Sequence, residues 1–214
     1  LTLDGVASDL KVYSFKGTEA LSQPYCFDLE LVGEQPDLDL ESLLHRPVYL
    51  GFDDQDRGVH GLVHRVAQGD SGRRLTRYQI SLVPQLAYLK HSSHQRIFQH
   101  LTVPQIVAQV LVGQGIQSDC FEFRLSGAYP KREYCVQFGE TDLAFIQRLC
   151  AELGIHYHFQ HSTERHLLVF GDDQTVFAQA EQPTPYSPGS GMVADAPAIK
   201  RFTVQLETRT TAVN

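Results

Sequence analysis

One stretch, residues 129–161, constrains the fold of this chain more than any other. Its first part alternates in polarity with the two-residue period of a half-buried β-strand, with Tyr134, Val136 and Phe138 in one set and Cys135 and Gln137 in the other. Gly139 then interrupts the alternation. The stretch therefore begins with a strand that ends at a turn.

A helix is predicted immediately after that strand. Thr141 or Glu140 stands at the N-cap position, and Asp142 places a carboxylate near the positive end of the helix. Apolar residues then recur on one face of a 3.6-residue period, namely Leu143, Ile146, Leu149, Cys150 and Leu153. Gly154 suits the left-handed conformation that ends a helix, and a second strand is predicted at residues 155–159. This succession predicts an α+β unit.

Upstream of residue 84 the chain has the pattern of a strand meander. Five strands are predicted at residues 10–15, 25–31, 48–52, 59–66 and 75–82, with a short helical turn at 36–44. Turn-forming residues at 53–56 and 69–72 separate the later strands. Strands at such short intervals predict a small antiparallel β-barrel or a sandwich, and we retain the barrel.

The pattern changes at Pro84, where helices replace simple alternation. Residues 102–105, Thr-Val-Pro-Gln, form a capping box, and the helix that follows has a buried stripe of Val103, Ile106, Val107, Val110 and Leu111. A hairpin is predicted from residues 155–160 and 166–170. The predicted fold class is α+β, mainly β, with a β-barrel at 1–85, an α+β domain at 86–180 and a Pro/Gly/Ser-rich linker at 181–198.

A further alternating strand is predicted at residues 199–208, shortly before the chain ends. One strand does not make a domain. We therefore expect the sequence to be truncated soon after a third unit begins at 199–214.

The charge balance argues against a nucleic-acid partner. The chain has 18 Lys and Arg against 25 Asp and Glu, a formal net charge of −7. Arg73, Arg74 and Arg77 are clustered, but beside a Gly-Asp-Ser-Gly turn they are expected to be a solvated hairpin end. No apolar run approaches the length of a membrane span, and no signal peptide is evident, so membrane insertion is not expected.

Histidines offer the best candidate for chemistry. His156 and His158 share one face of a strand, and His161 and His166 lie across the adjoining turn, so three or four imidazoles could converge on a zinc ion. No general base is evident, however, and there is no H-E-x-x-H motif. We therefore expect the hairpin to bind no metal, and the pair formed by His60 and His64 in another strand is also expected to be structural.

The remaining candidates predict no catalytic site. Asp53, Asp54 and Asp56 lack the Gly and the distal Glu of a calcium loop, and Asp172 and Asp173 are expected to form a hairpin exit. There is no G-x-S-x-G motif, and residues 189–191, Gly-Ser-Gly, lie in the linker. The four cysteines lack any C-x-x-C spacing and are expected to be unpaired thiols: Cys26, Cys120, Cys135 and Cys150. No catalytic residue, cofactor or metal ligand is assigned, and the chain is not expected to be an enzyme.

Three segments in order, residues 19–25 (Glu-Ala-Leu-Ser-Gln-Pro-Tyr), 36–40 (Pro-Asp-Leu-Asp-Leu) and 129–161, resemble the VgrG family of type VI secretion spike proteins. More broadly they resemble the tail-hub proteins of contractile phages. The resemblance covers nearly all 214 residues. It implies a structural hub, a homotrimer that adapts a hexameric tube to a three-fold spike propelled into target cells. It also implies that residues 199–214 begin a second barrel similar to the first, and that His156 and His158 replace aromatic packing residues.

The same resemblance implies the partners of the chain and the route by which it is assembled and exported. These are the other copies in the trimer, a hexameric tube ring protein, baseplate components, and a downstream spike or tip with its effectors. Synthesis in the cytoplasm, assembly at the baseplate and export to the extracellular space or a target cell are expected. The alternative is a hub or baseplate protein of a contractile phage tail or phage-derived particle. A third hypothesis is a small metal-dependent hydrolase that uses His156 and His158.

Overall fold

A computed structural model describes residues 1–3, 9–36, 38–53, 57–72, 74–177, 185–187, 199, 201–204 and 206. Contacts group Leu1–Val176 into one compact unit and Phe177–Asn214 into a second. The regular elements below belong to the first unit.

The first half of this unit is a six-stranded antiparallel sheet that curls into a half-barrel. Its strands are β1 (Thr2–Leu3), β2 (Lys11–Thr18), β3 (Cys26–Gly33), β4 (Pro47–Gly51), β5 (Gly58–Ser71) and β6 (Thr76–Val83). Their order in the sheet is β1-β4-β5-β6-β3-β2. A short helix, α1 (Leu40–Leu43), is capped by Asp39, whose carboxylate accepts from the Ser42 amide at 3.3 Å. In the described part of the chain the end strands β1 and β2 do not pair with each other, so the sheet is open.

The alternation of apolar and polar residues explains how the central strands of the half-barrel form its core face. Phe27, Leu29 and Leu31 of β3 are buried, and each lies opposite a buried residue of β6 in the antiparallel register. Gly61 of β5 lies so close to β6 that an added Cβ would come within 2.6 Å of Leu82. The five predicted strands are confirmed, and only β5 is much longer than its pattern indicated.

The second half begins after Pro84 with a 3₁₀ segment, Gln85–His91. Its elements are β7 (Ser93–Phe98), α2 (Val103–Gly113), β8 (Phe121–Arg124), β9 (Cys135–Thr141), α3 (Asp142–Glu152), β10 (His156–His161) and β11 (His166–Gly171), with a last 3₁₀ turn at Gln174–Val176. Strands β10, β11 and β8 form one sheet, in which β8 is parallel to β11. Strands β7 and β9 form an antiparallel pair. The predicted hairpin is confirmed, whereas β7 and β8 had no recognisable alternation and were not predicted.

Both predicted helices are present and begin at the predicted caps. Thr102 accepts from the Gln105 amide at 3.3 Å, and the Gln105 side chain accepts from the Thr102 amide at 2.9 Å. In α3 the cap is Thr141, which accepts from the Ala144 amide at 3.2 Å. The buried face of α3 differs from the predicted one at its edges. Phe145, which the pattern left out, is fully buried, whereas the predicted Leu143 is only partly buried. A 3.6-residue pattern fixes the centre of a stripe better than its edges.

The two halves share one hydrophobic core, which runs from Leu31 and Tyr78 of the half-barrel to Phe145 and Tyr157. The sheets change at Pro84, near the predicted boundary of 85/86, but the domain division itself stays a prediction.

Of the predicted strand at 199–208, residues 199, 201–204 and 206 are described and the other four are not. Where that unit is described, Ile199 forms an isolated parallel bridge with Tyr186, and residues 201–204 have no regular structure. The linker at 181–198 and the second barrel lie mainly outside the described residues.

Candidate functional site

The structure divides the four hairpin histidines between two faces. Antiparallel partners share a face, and His161 pairs with His166 in register. His161 lies on the same face as the buried Tyr157 and Phe159, because these positions are two residues apart. His156 and His158 alternate with them and lie on the other face. The hypothesis that three or four imidazoles of the hairpin converge is therefore wrong, since the two pairs face opposite ways.

A third histidine completes the cluster on the core face. His60 of β5 is only 6% exposed, and its Nδ1 lies 3.1 Å from Nδ1 of His166. The backbone N–H of His60 donates to Nδ1 of His161 at 3.3 Å, and the backbone N–H of Gln85 donates to Nε2 of His166 at 3.2 Å. Tyr25 packs edge-on against His161, with ring centroids 5.0 Å apart. We call His60, His161 and His166 the histidine junction, because it joins the half-barrel to the β10–β11 hairpin.

Burial governs the protonation of this junction. It lowers the pKa of His166 to about 3 and lowers the pKa of His60, and repulsion from neighbouring imidazolium charge acts in the same direction. Both rings are therefore neutral at neutral pH. His64, which sequence spacing placed on the face of His60, instead packs against Tyr88 at 5.5 Å between centroids. A bulge in β5 between Val63 and Arg65 separates the two histidines.

Within the described residues, no three His, Cys, Asp or Glu side chains are arranged to hold a metal ion. The absence of metal from the hairpin stays a prediction, and metal analysis of purified protein tests it. In the same part of the chain, no helix combines the length and the apolar character of a membrane span.

The cysteines are free thiols, as predicted. Burial raises the pKa of Cys150 to about 12 and also raises the pKa of the Cys26 and Cys120 thiols. A thiol must ionise to act as a nucleophile, so these three groups are poorly suited to that chemistry.

The acidic candidates serve local structure. Asp53 pairs with Arg57 at 2.5 Å, whereas Asp54 and Asp56 lie outside the described residues. Asp172 accepts from the Ser126 and Gly127 amides and from the Tyr129 hydroxyl. These donors, led by the Ser126 amide, hold the pKa of Asp172 below its ordinary value. It therefore ties the exit of β11 to the segment after β8.

The basic cluster is a partly paired hairpin end. Arg77 pairs with Glu30 at 2.6 Å, Arg74 is exposed, and Arg73 lies outside the described residues.

A buried ionic network lies beneath the β7–β9 pair, and sequence reasoning missed it. Asp142 is fully buried at the start of α3, where its carboxylate accepts from the Arg96 guanidinium and from Gln137 Nε2 at 2.7 Å. His94 Nδ1 lies 3.1 Å from the same oxygen. The one available signal was a polar residue, Gln137, in the middle of an alternating strand.

Two apolar surfaces are exposed. On the outer face of the β7–β9 pair the largest side chains are Ile97, which is 59% exposed, and Phe138, which is 77% exposed. At the edge of the half-barrel, Phe15 of β2 stacks on Phe52 with centroids 5.5 Å apart, and Tyr13 is 64% exposed. We call Phe15 and Phe52 the edge aromatic patch; Tyr13 lies on the other face of β2, where the Arg77 guanidinium packs over its ring at 5.3 Å. Exposed apolar patches of this kind mark interaction surfaces rather than reaction sites.

The sequence and the fold of this chain are similar to those of known proteins. The family model for the phage tail baseplate hub (GPD) matches residues 18–214. The chain belongs to the phage tail baseplate hub family. This hub chain is 61% identical to the type VI secretion system spike protein VgrG4b of Pseudomonas aeruginosa, over 99% of its own length and 26% of that protein. It is 52% identical to VgrG5 of the same organism, over its whole length and 27% of that protein.

A solved structure agrees with these relatives. A component of the Escherichia coli type VI secretion system, described as similar to the T4 bacteriophage tail proteins gp27 and gp5, is 31% identical with a TM-score of 0.80. That match covers 83% of the hub chain and 50% of the other chain. The predicted resemblance to VgrG is thereby confirmed, and the family supports a structural role in a spike or tail hub. The hub chain spans about a quarter of the length of the curated relatives.

Proposed function

We propose that this chain is the amino-terminal hub part of a type VI secretion spike and that it assembles as a homotrimer. In this role the trimer adapts the hexameric tube to a three-fold spike. A three-fold object matches a six-fold ring when each copy supplies two similar units. The half-barrel is one such unit, and the second barrel predicted to begin at 199–214 is the other.

The observation that carries the proposal is the exposed edge of the half-barrel. Strand β2 pairs with β3 along one edge, and in the described residues no strand pairs along its other edge. Apart from Val12, its residues are exposed, including Tyr13 and Phe15. Exposed edge strands favour pairing with other chains, so natural proteins cover them. A closed ring of copies would cover both the edge and the aromatic patch.

The proposal assigns this chain no catalytic step, because its work is mechanical. Its partners are the other copies, a hexameric tube ring protein, baseplate components and a downstream spike or tip with effectors. We further propose cytoplasmic synthesis, assembly at the baseplate and export through the secretion apparatus to the extracellular space or the target cell.

Light scattering on the longest expressed form of the protein, at micromolar concentration, tests the trimer. We expect a mass of three copies for the wild type. Phe15→Glu should weaken the assembly about 30-fold, because an aromatic anchor at an interface contributes roughly 2 kcal/mol. Val112→Glu is the control, since Val112 is also an exposed apolar residue but lies on helix α2 and in neither exposed apolar surface.

A wild type that stays monomeric would end the trimer proposal. A Phe15→Glu protein with unchanged mass would show that the edge aromatic patch is not the interface. Binding of the purified protein to the tube ring protein of a type VI system, compared with a phage tube protein, separates the spike from the phage-tail alternative.

A further inference from the structure

The histidine junction has a property that packing alone does not require. Two of its three rings have a nitrogen that faces a backbone N–H donor. Nε2 of His166 accepts from the Gln85 amide, and Nδ1 of His161 accepts from the His60 amide. A backbone amide always donates, so these two nitrogens carry no proton.

These two donors fix the proton positions throughout the junction. Because Nε2 of His166 is an acceptor, the proton of that neutral ring lies on Nδ1 and points at Nδ1 of His60, 3.1 Å away. His60 therefore accepts through Nδ1 and has its own proton on Nε2. By the same reasoning His161 has its proton on Nε2. Adding a proton to any of the three rings places two donors face to face and breaks one hydrogen bond.

We propose that the histidine junction is an acid-sensitive latch, which holds the β10–β11 hairpin against the half-barrel while His60 and His166 are neutral and releases it when they are protonated. The hydrogen bonds that would break join three elements. They connect β5 to β10, β5 to β11, and the start of the Gln85–His91 segment to β11. The latch therefore opens at the contact between the two halves of the unit.

The charged groups that face the histidine junction affect how it responds to a fall in pH. Glu19, in the turn before β3, lies 3.9 Å from Nε2 of His161, and its interaction with that ring lowers the pKa of Glu19. Glu19 therefore places a negative charge beside the junction. Glu164, between β10 and β11, lines a surface cavity with His60. Tyr25 bonds to the His60 carbonyl through its hydroxyl at 2.5 Å and is neutral, because burial raises its pKa.

The direction of the pH effect follows from the lowered pKa values of His60 and His166. For His60 and His166 the folded-state pKa lies below the ordinary 6.5, so the unfolded or opened state binds protons more readily. Their contribution to stability is fully present above pH 6.5. It falls with pH and, for His166, continues to fall until about pH 3. For His166 alone this linkage predicts that the ratio of closed to open molecules drops about 30-fold between pH 7.5 and 5.

Hydrogen exchange and urea unfolding of the whole chain at pH 7.5 and pH 5 test the latch. We expect the amides of β10 and β11 to lose protection at pH 5 before those of α2. In His166→Gln the side-chain amide still accepts from Gln85 and donates to His60 but cannot be protonated, so most of the 30-fold drop should disappear. His100→Asn is the control, because His100 is exposed at φ 56°, a conformation that Asn tolerates, and the wild-type drop should persist.

An unchanged pH response in His166→Gln would overturn the proposal. If that variant does not fold, ring NMR signals of the wild type decide the matter. A His166 signal that titrates near pH 6.5 in the folded protein would also overturn it, and a signal still unprotonated at pH 5 would support it.

Discussion

Replacing Asp142 by Ala tests whether the buried ionic network holds the second half of the unit together. The Asp142 carboxylate is fully buried and accepts from Arg96 and Gln137, and its amide donates to the Ser92 carbonyl at 2.8 Å. The substitution keeps the amide bond but removes the negative charge. Arg96, whose side chain is about three-quarters buried, is then left without its carboxylate.

The expected loss is large because a buried charge loses its partner. Removing one member of a buried ion pair costs about 3–5 kcal/mol. For a unit of this size each kcal/mol lowers Tm by about 2–4 °C, so Asp142→Ala should lower Tm by roughly 6–20 °C. The exposed pair formed by Asp119 and Arg165 provides the control. Asp119→Ala should lower Tm little, since exposed ion pairs contribute about 0–1 kcal/mol.

A double-mutant cycle separates the unpaired charge from simple loss of packing. Arg96→Met, added to Asp142→Ala, removes the orphaned guanidinium and should restore part of the lost Tm. Thermal unfolding, followed by circular dichroism, is measured for the wild type, Asp142→Ala, Arg96→Met and the double variant. A loss of less than about 1 kcal/mol in Asp142→Ala, or no recovery in the double variant, would refute the reasoning.

Three further outcomes follow from the helices and the thiols. Phe145→Ala should cost about 3–5 kcal/mol because the ring is fully buried in α3, whereas Val112→Ala on the exposed face of α2 should change stability by less than about 0.5 kcal/mol, both measured by urea unfolding. Thr102→Ala should cost about 1 kcal/mol in the same assay, through loss of the capping box, and no loss would contradict the cap geometry. A thiol reagent should find four thiols per denatured chain, and in the native protein the buried Cys135 and Cys150 should react last.

Local signals were enough to predict the central elements of the fold. The alternation of β3, the helix caps and the apolar stripe of α2 involve residues close in sequence, and each was found where its pattern placed it. Strand β7, with the sequence Ser-His-Gln-Arg-Ile-Phe, was missed because its polarity reflects the ionic network of Arg96 rather than a core face. Its pairing with β9 depends on a register that local sequence does not encode.

The histidine junction shows the same limit for the candidate site. Sequence spacing identified His161 and His166 but grouped them with His156 and His158, because it placed them across the turn without assigning them to a face of the hairpin. His60 lies 106 residues before His166 along the chain, so only the tertiary fold brings them together. The β5 bulge that separates His60 from His64 likewise has no sequence signature of its own.

The strand order of the half-barrel has a consequence for how the chain folds. Strands β4, β5 and β6 are consecutive neighbours and close only short loops, whereas β3 must join β6 across about fifty residues, with Leu29 opposite Ile80. Local pairs form first, so the β4–β5–β6 meander is the natural nucleus and the β2–β3 hairpin docks onto it late. Substitutions in the meander should therefore slow refolding, while those on β2 should mainly hasten unfolding. The edge aromatic patch would then be the last part of the half-barrel to become ordered, so partner copies would meet it only on chains that have nearly finished folding.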